Sequence, residues 1–439
     1  MLTNMPTISQ VSGYVAANRD ELFSLVQKLV RCSSENTPPI GAESDVQQLI
    51  ATRLRAAGSE PDVYELSEVS GLTQHRLFHP GRDYRGRPNV AARRKGSGGG
   101  RSLILSGHVD TVPRGTQPWT RDPFSGHIEA GRLYGRGSND MKAGVAASLF
   151  VFEALSRLGV QLAGDLIFET VVDEEFGGVN GTVAGRVRGY LADGAVLTEP
   201  SFLRICAAQR GGRTVHITFR AAGGVLTEGQ FPAGVVDQVT HFLNAVREFR
   251  AQRRANCRPH PLYANASDPV PVAVTKIITA PWGTREPITT PEECRVELYW
   301  QLMPGETQDE VDREFTSWFD ATVGRAPELF PAKPQVEFPI RWLPGSATEI
   351  SAPLVHELLL CARSVLGRDP AVAGIEGPCD MFAFHEFGVP AVLWGPCGGN
   401  THAADEYVDL DSVVAATQTL LDFVCHWFGV AEGCERCGE

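Results

Sequence analysis

Four short apolar runs in this chain each break off into residues that can ligate a cation. Leu103-Ile104-Leu105 leads to Ser106-Gly107-His108-Val109-Asp110, residues 165–172 lead to Asp173-Glu174-Glu175, and Ala195-Val196-Leu197 leads to Thr198-Glu199. The fourth, residues 391–394, leads through a glycine-rich stretch to His402. A short continuous apolar run bounded by turn residues reads as a buried strand. Open α/β sheets carry their ligand-binding residues just past the ends of such strands. A further carboxylate, Asp140, lies in the stretch 135–142 that enters a helix-like run at 143–158. Two histidines and several acids at strand ends form a donor set for one or two divalent metals.

The spacing within each stretch carries chemistry of its own. His108 and Asp110 are one residue apart, so on a strand they share a face, and the carboxylate can orient the ring directly or across the turn. Taken alone, the octapeptide 106–113 fits a hydrogen-bonded turn equally well. Three successive acids at 173–175 repel one another unless a cation is present. Neighbours on an extended chain point opposite ways, so two adjacent glutamates can hold different roles. A carboxylate that is not itself a ligand can take a proton from water and return it to a leaving nitrogen.

Five blocks, SGHVDTVP, GRGSNDMKAG, DEEFGG, TEPS and GPCGGNTHAADEYV, occur in this order along the chain. In these blocks the sequence resembles the M20 family of metal-dependent amidohydrolases and peptidases, which includes acetylornithine deacetylase and succinyl-diaminopimelate desuccinylase. The resemblance implies His108 and Glu199 on one metal, Glu175 and His402 on the other, and Asp140 bridging. It further implies Glu174 as general acid/base and Asp110 as the partner of His108. One or two divalent ions, Zn, Mn or Co, are the implied cofactors, since mixed imidazole and carboxylate donors suit all three. The implied fold is α/β: a catalytic domain with a mixed, mostly parallel sheet flanked by helices, plus an inserted ferredoxin-like lid or dimerisation domain. A homodimer is the implied assembly.

The length of 439 residues suits two domains. The expected division is 1–210 with 344–439 for the catalytic domain and 211–343 for the insert. Within the insert, strands are expected at 213–220, 271–278 and 294–302, helices at 233–247 and 308–323, and an extended piece at 334–339, which gives a βαββαβ order. A net charge of −12 argues against nucleic acid as a partner. No membrane-spanning stretch is evident and residues 1–10 lack a basic segment followed by an apolar run, so a cytoplasmic location is expected. The ten cysteines are scattered. Cys434 and Cys437 have CxxC spacing without a second pair, and Cys379 and Cys397 lie in or near the metal-site blocks. The loop 71–88 carries His75 and His79 and reads first as a surface loop, and its length would let it fold over the pocket.

The insert departs from the family's pattern. Gly223 stands about where a histidine is usual, Ile288 about where an asparagine is usual, and Gln301 where R-x-x-P would place arginine. With Trp282, Tyr299 and Trp300 nearby, the lid reads as more apolar and aromatic, which points to a substrate other than the usual carboxylate, although ordinary packing of the lid accounts for the aromatics equally well. Arg210, Arg285 and Asp380 remain candidate substrate-binding residues, and the two arginines would still offer an anion clamp. The expected activity is metal-dependent hydrolysis of a C–N bond in a small molecule, an N-acyl amino acid or related amide. The alternative is an aromatic-amine aminohydrolase resembling the 5-nitroanthranilate aminohydrolase branch. A noncatalytic binding protein on the same scaffold would be expected to have lost Glu174 or a ligand, and none is missing.

Overall fold

A computed structural model describes residues 8–222, 234–279 and 290–428. Gly223, Trp282, Arg285, Ile288, Cys434 and Cys437 lie outside the described residues. The chain divides into two compact units, one of Met1–Ala208, Ala347–Ile375 and Cys379–Glu439, the other of Gln209–Ser346 with Glu376–Pro378.

The first unit is built on a mixed sheet. Seven of its nine described strands are β1 (Asp62–Tyr64), β2 (Asn89–Arg94), β3 (Leu103–His108), β4 (Leu166–Val171), β5 (Ala195–Leu197), β6 (Ile205–Gln209) and β7 (Ala391–Leu393), and the short strands Ser346–Ala347 and Val372–Ile375 both join β6. The seven lie in the order β6-β7-β5-β3-β4-β2-β1. The central four, β7, β5, β3 and β4, run parallel, while β6 on one side and β2 and β1 on the other run antiparallel to their neighbours. These four are the apolar runs of the sequence, and all their residues are buried, as parallel strands covered on both faces must be. Register pairs Ser106 with both Glu169 and Leu197, and Leu197 with Leu393, so the carboxyl ends finish close together. His108 is the last residue of β3.

The helix Ala143–Arg157 is buried almost all round from Ala143 to Leu155 and packs on the helices Arg19–Arg31 and Leu410–Trp427. A helix apolar on every side belongs inside a protein. Gly144 sets its approach to the sheet, because a Cβ there would lie 1.8 Å from the carbonyl oxygen of Thr198. The same contact brings the turn before the helix, which holds Asp140, up to the end of β5, which leads to Glu199. A small second sheet, in the order Gly398–Gly399, Tyr407–Asp409, Arg132–Tyr134, His127–Glu129, sets the His402 loop beside that turn.

The second unit has an antiparallel sheet in the order Val272–Thr279, Glu293–Leu302, Gly211–Arg220, Gln335–Glu337, with helices Val235–Asn256 and Gln308–Gly324. Its chain order is the βαββαβ of a ferredoxin-like fold. Val215, Ile217 and Phe219 alternate inward and meet Val296, Leu298, Trp300 and Leu302 from the neighbouring strand. The unit extends past 211–343 because the Gln209 side chain donates to the Pro344 carbonyl and the Gly212 N–H to that of Leu343. No helix among the described residues is long and apolar enough to cross a membrane.

Candidate metal centre

Six of the polar side chains found at the strand ends converge within the first unit. Asp140 is central: its Oδ1 lies 3.1 Å from Nε2 of His108 and its Oδ2 lies 3.3 Å from Nε2 of His402. His402 Nε2 is also 2.9 Å from Glu175 Oε2, and His108 Nε2 is 3.8 Å from Glu199 Oε1. Two groups of candidate donors result, His108, Asp140 and Glu199 in one, Asp140, Glu175 and His402 in the other. Within each, the donor atoms lie within 4.8 Å of one another. Glu174 belongs to neither group, yet its Oε2 is 3.9 Å from His108 Nε2. His108 is buried, whereas the His402 side chain is half exposed.

Local backbone explains how these groups are held. Gly137, at φ +78°, turns the chain into Ser138–Lys142, and the Asp140–Met141 peptide is cis. Asp173 and His402 take positive φ of 65° and 61° without being glycine, a strained conformation that recurs at functional sites. At Asp173 this bend turns the chain at the end of β4 so that Glu174 and Glu175 diverge. Asp173 itself is buried, accepting hydrogen bonds from Tyr84 (2.5 Å) and Asn36 (3.2 Å).

Asp110 acts differently from the simplest expectation. Nδ1 of His108 lies 2.9 Å from the carbonyl oxygen of Asp110 and 3.6 Å from its carboxylate. A carbonyl only accepts, so Nδ1 carries a proton, and Nε2 is the nitrogen that faces Asp140 and Glu199. The Asp110 carboxylate is instead a cradle for the adjacent turn. It accepts the backbone N–H of Glu174 at 3.1 Å and of Glu175 at 3.2 Å, and Nδ2 of Asn36 at 2.9 Å.

The electrostatics are those of buried acids that outnumber the two imidazoles between them. Burial, then the charges of Glu199, Asp380 and Glu175, pushes Glu174 well above the usual carboxylate range, and burial with Asp140 and Asp380 does the same to Glu199. Burial and the neighbouring Asp140 push Glu175 up to about 7. Burial opposes a charge on His402, but Asp140 and Glu175 outweigh it and raise the imidazole to about 10. Glu174, Glu175 and Glu199 are held towards the neutral form, whereas His108 and His402 hold Asp140 towards its charged one, and the donors are the imidazole and carboxylate types that first-row divalent ions accept. The residues present therefore fit a pair of divalent cations.

The other expected site residues fall as follows. Asp380 is buried, accepts a hydrogen bond from Thr182, and is pushed up to about 7 by burial. Arg210 is buried in the second unit, donating to Gln301 Oε1 at 2.7 Å and to the Asp268 carbonyl at 3.1 Å, with its guanidinium over the Tyr263 ring. His75 stacks on Phe387 and the His79 N–H donates to Asn180, and neither joins a donor group. Sequence reasoning passed over Asn36 and Glu406. The one signal for Glu406 was its place in the block that contains His402.

The chain is similar to known proteins in sequence and in fold. A curated relative from Halalkalibacterium halodurans, named N-formyl-4-amino-5-aminomethyl-2-methylpyrimidine deformylase, is 28% identical over 449 aligned positions, covering 96% of this chain and 98% of the relative. A succinyl-diaminopimelate desuccinylase from Methylobacterium radiotolerans is 37% identical over 187 residues, 42% of this chain and 43% of its own. In three dimensions the chain is similar to human carnosine dipeptidase 1, with a TM-score of 0.72 at 16% identity over 96% of this chain and 99% of the other. The profile of peptidase family M20/M25/M40 matches residues 104–426, which takes in both candidate donor groups, and the chain belongs to that family of hydrolases.

Proposed function

We propose that this enzyme hydrolyses the amide of a small N-acyl compound, with two divalent cations held by His108, Asp140 and Glu199 and by Asp140, Glu175 and His402. The observation that carries the reading is the position of Asp140, whose two oxygens face the two imidazoles at 3.1 and 3.3 Å. A carboxylate so placed would serve both donor groups. When bound, such cations polarise a carbonyl and lower the pKa of water. Glu174, close to His108 but outside both donor groups, takes the proton of the attacking water and delivers it to the leaving nitrogen. The Asp110 carboxylate fixes the backbone of Glu174 and the Asp110 carbonyl fixes the ring of His108, so one residue orients both.

For the substrate, we infer a short acyl group, formyl above all, on the amine of a heteroaromatic compound. The deformylase name of a relative aligned over nearly the whole chain supports this, as does Gln301 where the family's pattern has arginine. Asp380, near enough to raise Glu174 and Glu199 by its charge, is suited to N–H groups of such a ring rather than to a carboxylate. The strand Val272–Thr279, at the edge of its sheet among the described residues with Ile277 and Ile278 exposed, supports a homodimer. The test is a panel of N-formyl aminomethylpyrimidine, N-succinyl-diaminopimelate, N-acyl amino acids and aromatic amines, scored for free acid, amine and ammonia. Formate released together with the amine is the expected result. Ammonia without free acid would replace this reading with aminohydrolysis.

A further inference from the structure

The loops that carry Asp140 and His402 are far apart in sequence but are held by one buried carboxylate. Glu406 is fully buried, and its side chain takes four hydrogen bonds. Oε1 accepts the backbone N–H of Asn139 at 2.9 Å and of Asp140 at 3.0 Å. Oε2 accepts the N–H of Gly137 at 3.0 Å and Nη1 of Arg136 at 2.6 Å. Two further ties run the other way: Arg136 Nη2 donates to the Ala403 carbonyl at 3.2 Å, and Asn139 Nδ2 to Thr401 Oγ1 at 2.7 Å. Ala403 and Thr401 flank His402. The loops also leave paired strands, since Tyr407 pairs with Tyr134 and the Gly135 N–H donates to the Glu406 carbonyl at 2.8 Å.

We propose that Glu406, with Arg136 and Asn139, is a clamp that positions Asp140 and His402 for the cation group they share with Glu175. The inference rests on the two-cation reading above and adds to it the groups that set its geometry. A carboxylate is needed because every partner donates. An amide in its place would turn an NH2 towards two N–H donors on one side and leave them unmatched. The two donor groups depend on the clamp unequally. The group of Asp140, Glu175 and His402 has two of its three members on the clamped loops, and the group of His108, Asp140 and Glu199 has one. Loosening the clamp is therefore expected to act on the first of these more than on the second. Outer residues that orient metal ligands typically contribute about 10- to 100-fold in affinity.

The experiment loads the full-length enzyme with Co(II) and follows its visible absorption bands while a chelator withdraws the metal. Wild type is expected to release two equivalents in two steps. In Glu406→Gln, with near-UV circular dichroism matching wild type, one equivalent is expected to dissociate at about 10- to 100-fold lower chelator concentration, with the other changed far less. Asn139→Ala cuts only the tie to Thr401 and buries no unmatched charge, so it is expected to act on the same equivalent by a smaller factor. If Glu406→Gln does not fold, Asn139→Ala decides the matter. A folded variant that releases both equivalents as wild type does, or weakens both alike, overturns the clamp and leaves the two-cation reading standing. A wild-type enzyme that never holds a second equivalent overturns both.

Discussion

Replacing Glu174 by glutamine separates proton transfer from metal binding at this site. The substitution keeps the side chain's size and leaves the backbone anchor intact, because both oxygens of Asp110 accept the main-chain N–H of residue 174 at 3.1 Å. Glu174 belongs to neither donor group, so the cations lose no ligand. What disappears is the ability to accept a proton. Positioned acid/base groups contribute about 10²- to 10⁴-fold, equivalent to about 3–5 kcal/mol of barrier. The assay is the initial rate of formate release from an N-formyl amine at saturating substrate, with metal content of the same samples measured by elemental analysis. The expected result is a kcat reduced at least about 100-fold at unchanged metal content. Glu175→Gln should behave differently, since Glu175 lies 2.9 Å from His402 within a donor group, and metal should fall along with rate. A Glu174→Gln enzyme within tenfold of wild type, or one that has lost an equivalent of metal, would refute the division of labour between the two glutamates.

Three further outcomes can be checked. Asp110→Asn should reduce kcat and metal retention together, because an amide cannot accept from Asn36, Glu174 and Glu175 as the carboxylate does; unchanged metal and rate would remove the cradle role. Burial holds His385 down to about 4, and its Nε2 accepts the Ala391 N–H at 3.3 Å. The folded state thus keeps this imidazole neutral while the unfolded chain protonates near 6.5, so its contribution is full above pH 6.5 and is lost as pH falls towards 4. Denaturant titrations should show wild type losing about 2–3 kcal/mol more than His385→Gln between pH 6.5 and 4.5, and equal losses would contradict the assignment. In the second unit, Trp300 is fully buried and stacks on Phe315 with ring centroids 5.3 Å apart, while its indole N–H has no hydrogen-bond partner among the described residues. Trp300→Ala should cost about 3–5 kcal/mol in chemical unfolding and Trp300→Phe clearly less, since only the first opens a large cavity; similar losses for both would show that the site relaxes around the gap.

The sequence disclosed the parts of this fold in which side-chain pattern and burial coincide. Strands β3, β4, β5 and β7 are legible because a parallel strand covered on both faces is mostly apolar, the buried Glu169 of β4 being paired with Arg186. His127–Glu129 and Arg132–Tyr134 are too short and too exposed for any period to show. The helix Val235–Asn256 runs well beyond the expected 233–247, and its last turns read as polar. They continue because Phe249 and Arg253 extend the buried face, with the Arg253 guanidinium paired to Glu306 and Glu314 at 2.7 Å. A buried arginine whose partners lie on another element looks like a solvated one in sequence.

The same distinction divides the candidate site. Candidate donors are legible because most sit just past a strand end, and Asp140 just before a helix, with the chemistry a cation requires. Which atom of a residue faces which neighbour could not be named, because backbone hydrogen bonds leave no trace in residue type. Asp110 shows this most clearly: the spacing of His108 and Asp110 is that of two side chains on one strand face, but β3 ends at His108 and the chain turns there. The turn presents the carbonyl of Asp110 to the imidazole and sends the carboxylate under the amides of Glu174 and Glu175. Glu406 shows the same relation, with three of its four side-chain donors being backbone N–H groups. In both cases an acid close in sequence to a histidine of the candidate centre orients peptide groups of another loop. The centre is thus surrounded by carboxylates of two kinds, those that face the cation positions and those that hold the backbone carrying them. Only the hydrogen-bond partners tell the two apart.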